Sequence, residues 1–239
     1  MMRIAMWSGP RNLSTAMMYA FAARGDCAVW DEPFYAAYLA ATGLDHPMRA
    51  EILAAHEADP VKVAAACSGP IPQEQSLFYQ KHMTVHMIPG IDRGFMRGCV
   101  NVFLIRHPAR VVASYAKKRE GPTLPDIGFV QQAELFDEVT GWLGHPPVVV
   151  DSLDIRANPR ETLEKMCRAI GIPFTEKMLT WPAGGHPSDG IWAPHWYGAV
   201  HRSTGFEEPE GPLPVLSPEY QALADQALPH YERLAAFKI

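Results

Sequence analysis

An α/β fold of three layers, with helices on both faces of a central and mainly parallel sheet, is the architecture this chain predicts. Three observations carry the expectation. Five short apolar runs bounded by turn residues lie at 3–7, 27–30, 77–82, 101–105 and 147–151, the pattern of strands buried on both faces. Segments of helical spacing separate them. Two of the strand ends also pass through a sharp turn carrying arginine and hydroxyls into a helix, near 8–15 and 106–115.

Each element follows from local signals. Residues 14–24 are an Ala/Met-rich helix that Gly25 ends. Residues 31–76 are rich in Ala and His without a strong strand, which predicts a helical insertion that reads equally as a lid or an interface. Pro108 suits the first position of a helix over 108–118. Over 129–143 the spacing of Phe129, Val130, Ala133, Phe136 and Val139 predicts another. Asn158 before Pro159 is an N-cap for 159–170, where Leu163, Met166, Cys167 and Ile170 share a face and Gly171 closes the helix. Proline and glycine crowd 181–216, a long ordered loop. The last helix, 217–236, follows the stripe Leu216, Tyr220, Leu223, Ala227, Tyr231 and Leu234.

The chain has 239 residues, which suits a single domain over 1–239. Its 48% apolar and 20% charged residues are a soluble globular balance. A net charge of −5 argues against nucleic acid or an anionic membrane as partner, so any anion site must be local. No apolar stretch reaches the ~18–20 residues of a membrane span. The start, Met1-Met2-Arg3-Ile4, enters the first strand without a signal-peptide pattern. Cys27, Cys67, Cys99 and Cys167 are scattered without a CxxC pair, which signals neither zinc nor disulfides and places the chain in a reducing cytoplasm.

The first turn reads Ser8-Gly9-Pro10-Arg11-Asn12-Leu13-Ser14-Thr15. Backbone N–H groups gather at such a helix start, and arginine recognises phosphate or sulfonate bidentately. Taken alone, Ser14 or Thr15 is equally a plain helix cap and Arg11 a surface residue. The second turn reads Phe103-Leu104-Ile105-Arg106-His107-Pro108, with Ser114 eight residues after Arg106. Two such turns predict a ligand with two separated anionic groups.

On these residues the chain resembles the sulfotransferases that use 3′-phosphoadenosine 5′-phosphosulfate (PAPS). Their 5′-phosphosulfate loop has a pattern like Pro-Lys/Arg-Ser-Gly-Thr-Thr, and their 3′-phosphate motif is a strand ending in Arg, then Asp/His-Pro, then Ser. A third segment also matches: Val148 to Leu153, Asn158-Pro159, and the ending Gly171-Ile172-Pro173-Phe174. The chain departs from the pattern at Leu13, where the family commonly has glycine, and at Arg11, where it commonly has lysine.

The resemblance implies a P-loop-type sulfotransferase fold and transfer of a sulfonyl group from PAPS to a hydroxyl or amine of a small acceptor, with no metal expected. It implies that Gly9, Pro10, Arg11, Asn12, Leu13, Ser14 and Thr15 hold the 5′-phosphosulfate, and that Arg106 and Ser114 hold the 3′-phosphate. A late loop, Arg202, Ser203, Thr204 and Gly205, would return over the 3′-phosphate. Arg11 and Lys81 would act in the transfer, with Glu32 or His82 as base. Phe34, Tyr35, Trp192, His195 and Trp196 would wall the acceptor site. His46, His56, His86, His186 and His230 read as surface or loop positions. Two further readings stand beside this one. The first is a PAPS-binding protein without transfer activity. The second is a P-loop kinase or NTPase, for which Asp151 ends a strand although the Gly-Lys-Ser/Thr of a Walker loop is missing.

Overall fold

A computed structural model describes residues 1–239. The chain runs β1 (Met2–Ser8), α1 (Ser14–Ala22), β2 (Cys27–Asp31), α2 (Tyr35–Thr42), α3 (Arg49–Ala55), α4 (Pro60–Ser68), β3 (Leu77–Met83), β4 (Val100–Ile105), α5 (Pro108–Ala116), α6 (Leu124–Ile127), α7 (Phe129–Leu143), β5 (Val148–Asp151), α8 (Ser152–Ala157), α9 (Pro159–Ala169), α10 (Ala193–Trp196) and α11 (Pro218–Ala235). The five strands form one sheet in the order β2-β3-β1-β4-β5, and every pairing is parallel.

Alternation along β1 divides the core between the two faces of the sheet. Ile4 and Met6 join α1 and α9 in one buried cluster. Ala5 and Trp7 join residues of α4 and α7 in the other. The order of strands reverses at β1. The loop after β1 leads toward β2, and the loop after β4 leads toward β5. A crevice therefore opens between the carboxyl ends of β1 and β4, where open α/β sheets bind ligands.

The insertion consists of α2, α3 and α4, while Asp31 still belongs to β2. Tyr35, Tyr38, Leu39 and Ile52 of the insertion pack on Trp192, Ala193 and Tyr197. The long loop thus contains a short helix, α10, and docks on the insertion over the carboxyl end of the sheet. Two glycines bring the first turn against the start of α7. A Cβ at Gly9 would stand 2.7 Å from the Ile127 carbonyl oxygen, and one at Gly128 would stand 2.8 Å from Thr84 Oγ1. No helix is long and apolar enough to cross a membrane.

Candidate active site

The turn after β1 makes an uncapped helix start. Arg11 and Leu13 take left-handed backbone, φ 64° and 70°. That conformation costs a residue with a Cβ roughly 1–2 kcal/mol. Leu13 therefore adopts the shape that glycine would take freely, with its side chain packed against the core. Leu13, rather than Ser14 or Thr15, is the N-cap of α1, and no side chain caps it. The N–H groups of residues 11–16 donate to no acceptor within the chain. An open helix start of this kind suits an anion.

The second turn is tied directly to the first. Arg106 Nη1 donates to the Arg11 carbonyl at 2.6 Å, and Arg11 Nε donates to Ser114 Oγ at 3.0 Å. Burial, then the charge of Arg106, lowers the Arg11 pKa. An anion bound beside Arg11 would offset both effects. Residues 10–15, Arg106 and Ser114 line one cavity of about 360 Å³.

The floor of the same cavity is a buried ion cluster. Lys81 Nζ uses its three protons on Asp31 Oδ1 (2.8 Å), Glu32 Oε1 (2.7 Å) and the Tyr197 hydroxyl (2.6 Å). That hydroxyl also accepts from Trp192 Nε1 at 2.9 Å and donates to Asp31 Oδ2 at 2.8 Å. Burial alone would lower the Lys81 pKa, but the two carboxylates outweigh it and leave it raised. Burial raises the pKa of Asp31 against the pull of Lys81. Glu32 sits at φ 43°, a strained backbone that turns the chain at the end of β2. Its Oε2 accepts no hydrogen bond and lies 3.9 Å from His86 Nε2. Tyr35, Tyr38, Tyr115, Trp196, His46 and His86 complete the wall beside it.

A family model described as a sulfotransferase domain matches residues 2–238. The chain belongs to this sulfotransferase family. It is 35% identical over 231 residues to Branched-chain-amino-acid aminotransferase-like protein 2 of Arabidopsis thaliana, covering 97% of this chain and 41% of that protein. It is 36% identical over 234 residues to protein 1 of the same name and organism, with the same coverage. The chain thus spans about two-fifths of the length of these relatives. The sulfotransferase domain from the curacin biosynthetic pathway superposes with a TM-score of 0.54 at 16% identity, covering 93% of this chain and 96% of that one. That likeness concerns the fold.

Within this sulfotransferase domain several expected site residues fall elsewhere. His82 does not line the cavity. Lys81 and His82 are neighbours on a strand and point to opposite faces. His82 stacks on Trp7 with ring centroids 4.4 Å apart and pairs with Gln80 Oε1 at 3.1 Å. Burial, then His86, pushes its pKa down to about 3. Phe34 and Trp192 are buried beneath the wall, and His195 lies outside it. Ser203 and Gly205 reach the cavity, whereas Arg202 and Thr204 do not. Asp151 is committed to structure, since its Oδ1 accepts from Leu153 N at 2.9 Å and its Oδ2 from the Tyr231 hydroxyl at 2.6 Å. His46 and His86, read from sequence as surface or loop positions, both line the cavity, and His86 is buried against the Tyr35 ring at 4.7 Å.

The burial of His82 sets a pH signature. The unfolded chain binds a proton at this ring below 6.5, and the folded chain only near 3. Its contribution to stability is full above 6.5 and is lost as pH falls through that range. His82→Gln is expected to leave turnover intact, to cost roughly 1–3 kcal/mol at neutral pH, and to flatten the fall of the melting temperature toward acid. Melting curves of equal slope for the two proteins would show that the ring titrates freely.

Proposed function

We propose that this domain moves a sulfonyl group from PAPS to a hydroxyl or amine of a small acceptor. One observation carries the reading: the unpartnered N–H groups of residues 11–16, two guanidinium groups and the free Oε2 side of Glu32 meet in a single cavity. In this reading the start of α1, with Arg11, Ser14 and Thr15, holds the 5′-phosphosulfate. Arg106 and Ser114 hold the 3′-phosphate, and Ser203 and Gly205 close that side. Tyr35, Tyr38 and Trp196 receive the acceptor.

The transfer is in-line, and negative charge gathers on the bridging oxygen as its bond to sulfur breaks. Arg11 and the α1 N–H groups supply fixed donors for that charge. Glu32 takes the acceptor proton through Oε2. Lys81 has no free proton to offer the donor, so it acts as a positioning residue that fixes the other oxygen of Glu32. Arginine and N–H groups carry the positive charge that the reaction needs, and the reading involves no metal.

Calorimetric titration with adenosine 3′,5′-bisphosphate (PAP), with and without Mg²⁺ and with ATP as comparison, tests the donor site. Micromolar or tighter PAP binding, indifferent to Mg²⁺ and much stronger than ATP binding, is the expected result. A preference for Mg-ATP, or no PAP binding, would overturn the reading. Turnover of PAPS against a panel of alcohols and amines then separates an enzyme from a protein that only binds the nucleotide.

A further inference from the structure

We propose that Arg106, Arg110 and Arg156 form one seat for the donor's 3′-phosphate, and that the chain's own Glu210 fills this seat until the donor displaces it. The proposal rests on the donor reading above and adds two seat residues and a resident competitor. Arg106 follows β4, Arg110 lies in the first turn of α5, and Arg156 lies in α8 after β5. The carboxyl ends of two adjacent strands thus bring three guanidinium groups together.

Glu210 is held among them. Its Oε1 accepts from Arg156 Nη1 at 3.0 Å and from Arg106 Nη2. Arg110 Nε lies 3.1 Å from its Oε2. The side chain is 4% exposed, although Glu207, Glu208, Pro209, Gly211 and Pro212 around it are exposed.

The fit is incomplete in the way a substitute's fit would be. Glu210 Oε2 has no hydrogen bond, and Arg106 Nε is buried with no partner. A planar carboxylate with one charge and two oxygens leaves Arg106 Nε unused, while the other donors of the three forks are shared among Glu210, Glu207 and the carbonyls of Arg11, Glu208 and Gly211. A phosphate monoester, with three terminal oxygens and up to two charges, matches the three forks better.

The segment is also held by little else. Every hydrogen bond made by residues 207–211 runs to these arginines, including Arg156 Nε to the Glu208 carbonyl at 2.9 Å and Arg110 Nη2 to the Gly211 carbonyl. The anchors lie on either side, at the Thr180–Gly205 bridge and at Leu216 against the α5–α11 cluster. The segment has no helix or strand. It can lift from the seat without breaking an element. A ligand without a 3′-phosphate has nothing to exchange for Glu210, so the strap favours the bisphosphorylated nucleotide.

Calorimetry of Glu210→Gln, Arg156→Gln and the exposed control Glu208→Gln with PAP and with AMP tests this, with melting curves to confirm folding. Glu210→Gln is expected to tighten PAP by roughly tenfold or more, by removing a charged competitor, and to leave AMP unchanged. Arg156→Gln should weaken PAP about tenfold without affecting AMP, and Glu208→Gln should change neither. PAP affinity that stays the same or falls in Glu210→Gln, or an equal gain for AMP, overturns the strap while the donor reading stands. Failure of the wild-type protein to bind PAP at all removes the donor reading, and the strap with it.

Discussion

Glu32→Gln is expected to lower turnover by about 100- to 10,000-fold, the span of general-base catalysis, while PAP affinity stays near that of the wild type. The cluster explains why the effect should be confined to the chemistry. Glu32 Oε1 accepts from Lys81, and the glutamine amide oxygen can still do so. Lys81 also retains Asp31 as an ionic partner at 2.8 Å. The buried lysine therefore stays compensated and the fold is kept. What the variant loses is the charge on the carboxylate, whose Oε2 accepts no hydrogen bond. Turnover and PAP titration measured on the same preparation separate the outcomes. Unchanged turnover would remove Glu32 as base and make His86, the buried histidine on that wall, the next group to substitute. Parallel loss of turnover and PAP affinity would mean that Glu32 acts by holding the cavity together.

The two arginine-bearing turns were legible because their geometry is local. A strand, a turn and a helix start, with Arg11 or Arg106 between, are set by neighbours in sequence. Of the two candidate bases, Glu32 lines the cavity and His82 does not, a consequence of strand geometry. Lys81 and His82 are adjacent on β3, so only one of them can face the cavity. His86 reaches the cavity because a short turn, Thr84–His86, bends the chain back after β3, and a scattered histidine gives no local sign of that. The remaining parts depend on contacts that sequence does not display. Tyr197 meets Asp31 across 166 positions, and Glu210 meets Arg106 across 104. Leu13 shows the same limit at the backbone. A bulky residue argues against left-handed φ, yet the core packing of its side chain holds it there.

Lys81→Met is expected to be strongly destabilising, by about 3–5 kcal/mol, because removing one partner of a buried ion pair strands the other. For a domain of this size that corresponds to a fall in melting temperature of roughly 6–20 °C. The substitution keeps the length of the stem and removes the charge, so cavity formation contributes little. Two carboxyl groups then share a buried site in which Asp31 is already shifted upward by burial. Without Lys81 only the hydrogen bonds from Gly190 N and the Tyr197 hydroxyl oppose that shift, and the folded-state pKa rises further above the unfolded value of 3.8. A carboxyl group of this kind costs no stability below its unfolded pKa, and the cost grows as pH rises through the window up to its folded pKa. The deficit of Lys81→Met relative to wild type should therefore be largest at neutral pH and should shrink as the melts are taken to about pH 5 and below. Adding Asp31→Asn should recover part of the loss at neutral pH, because it removes one of the two stranded charges while leaving Glu32 in place. A deficit that does not vary with pH, or no recovery in the double variant, would mean that Lys81 stabilises the fold through its packing and that the ion cluster is not what holds Glu32 at the cavity floor.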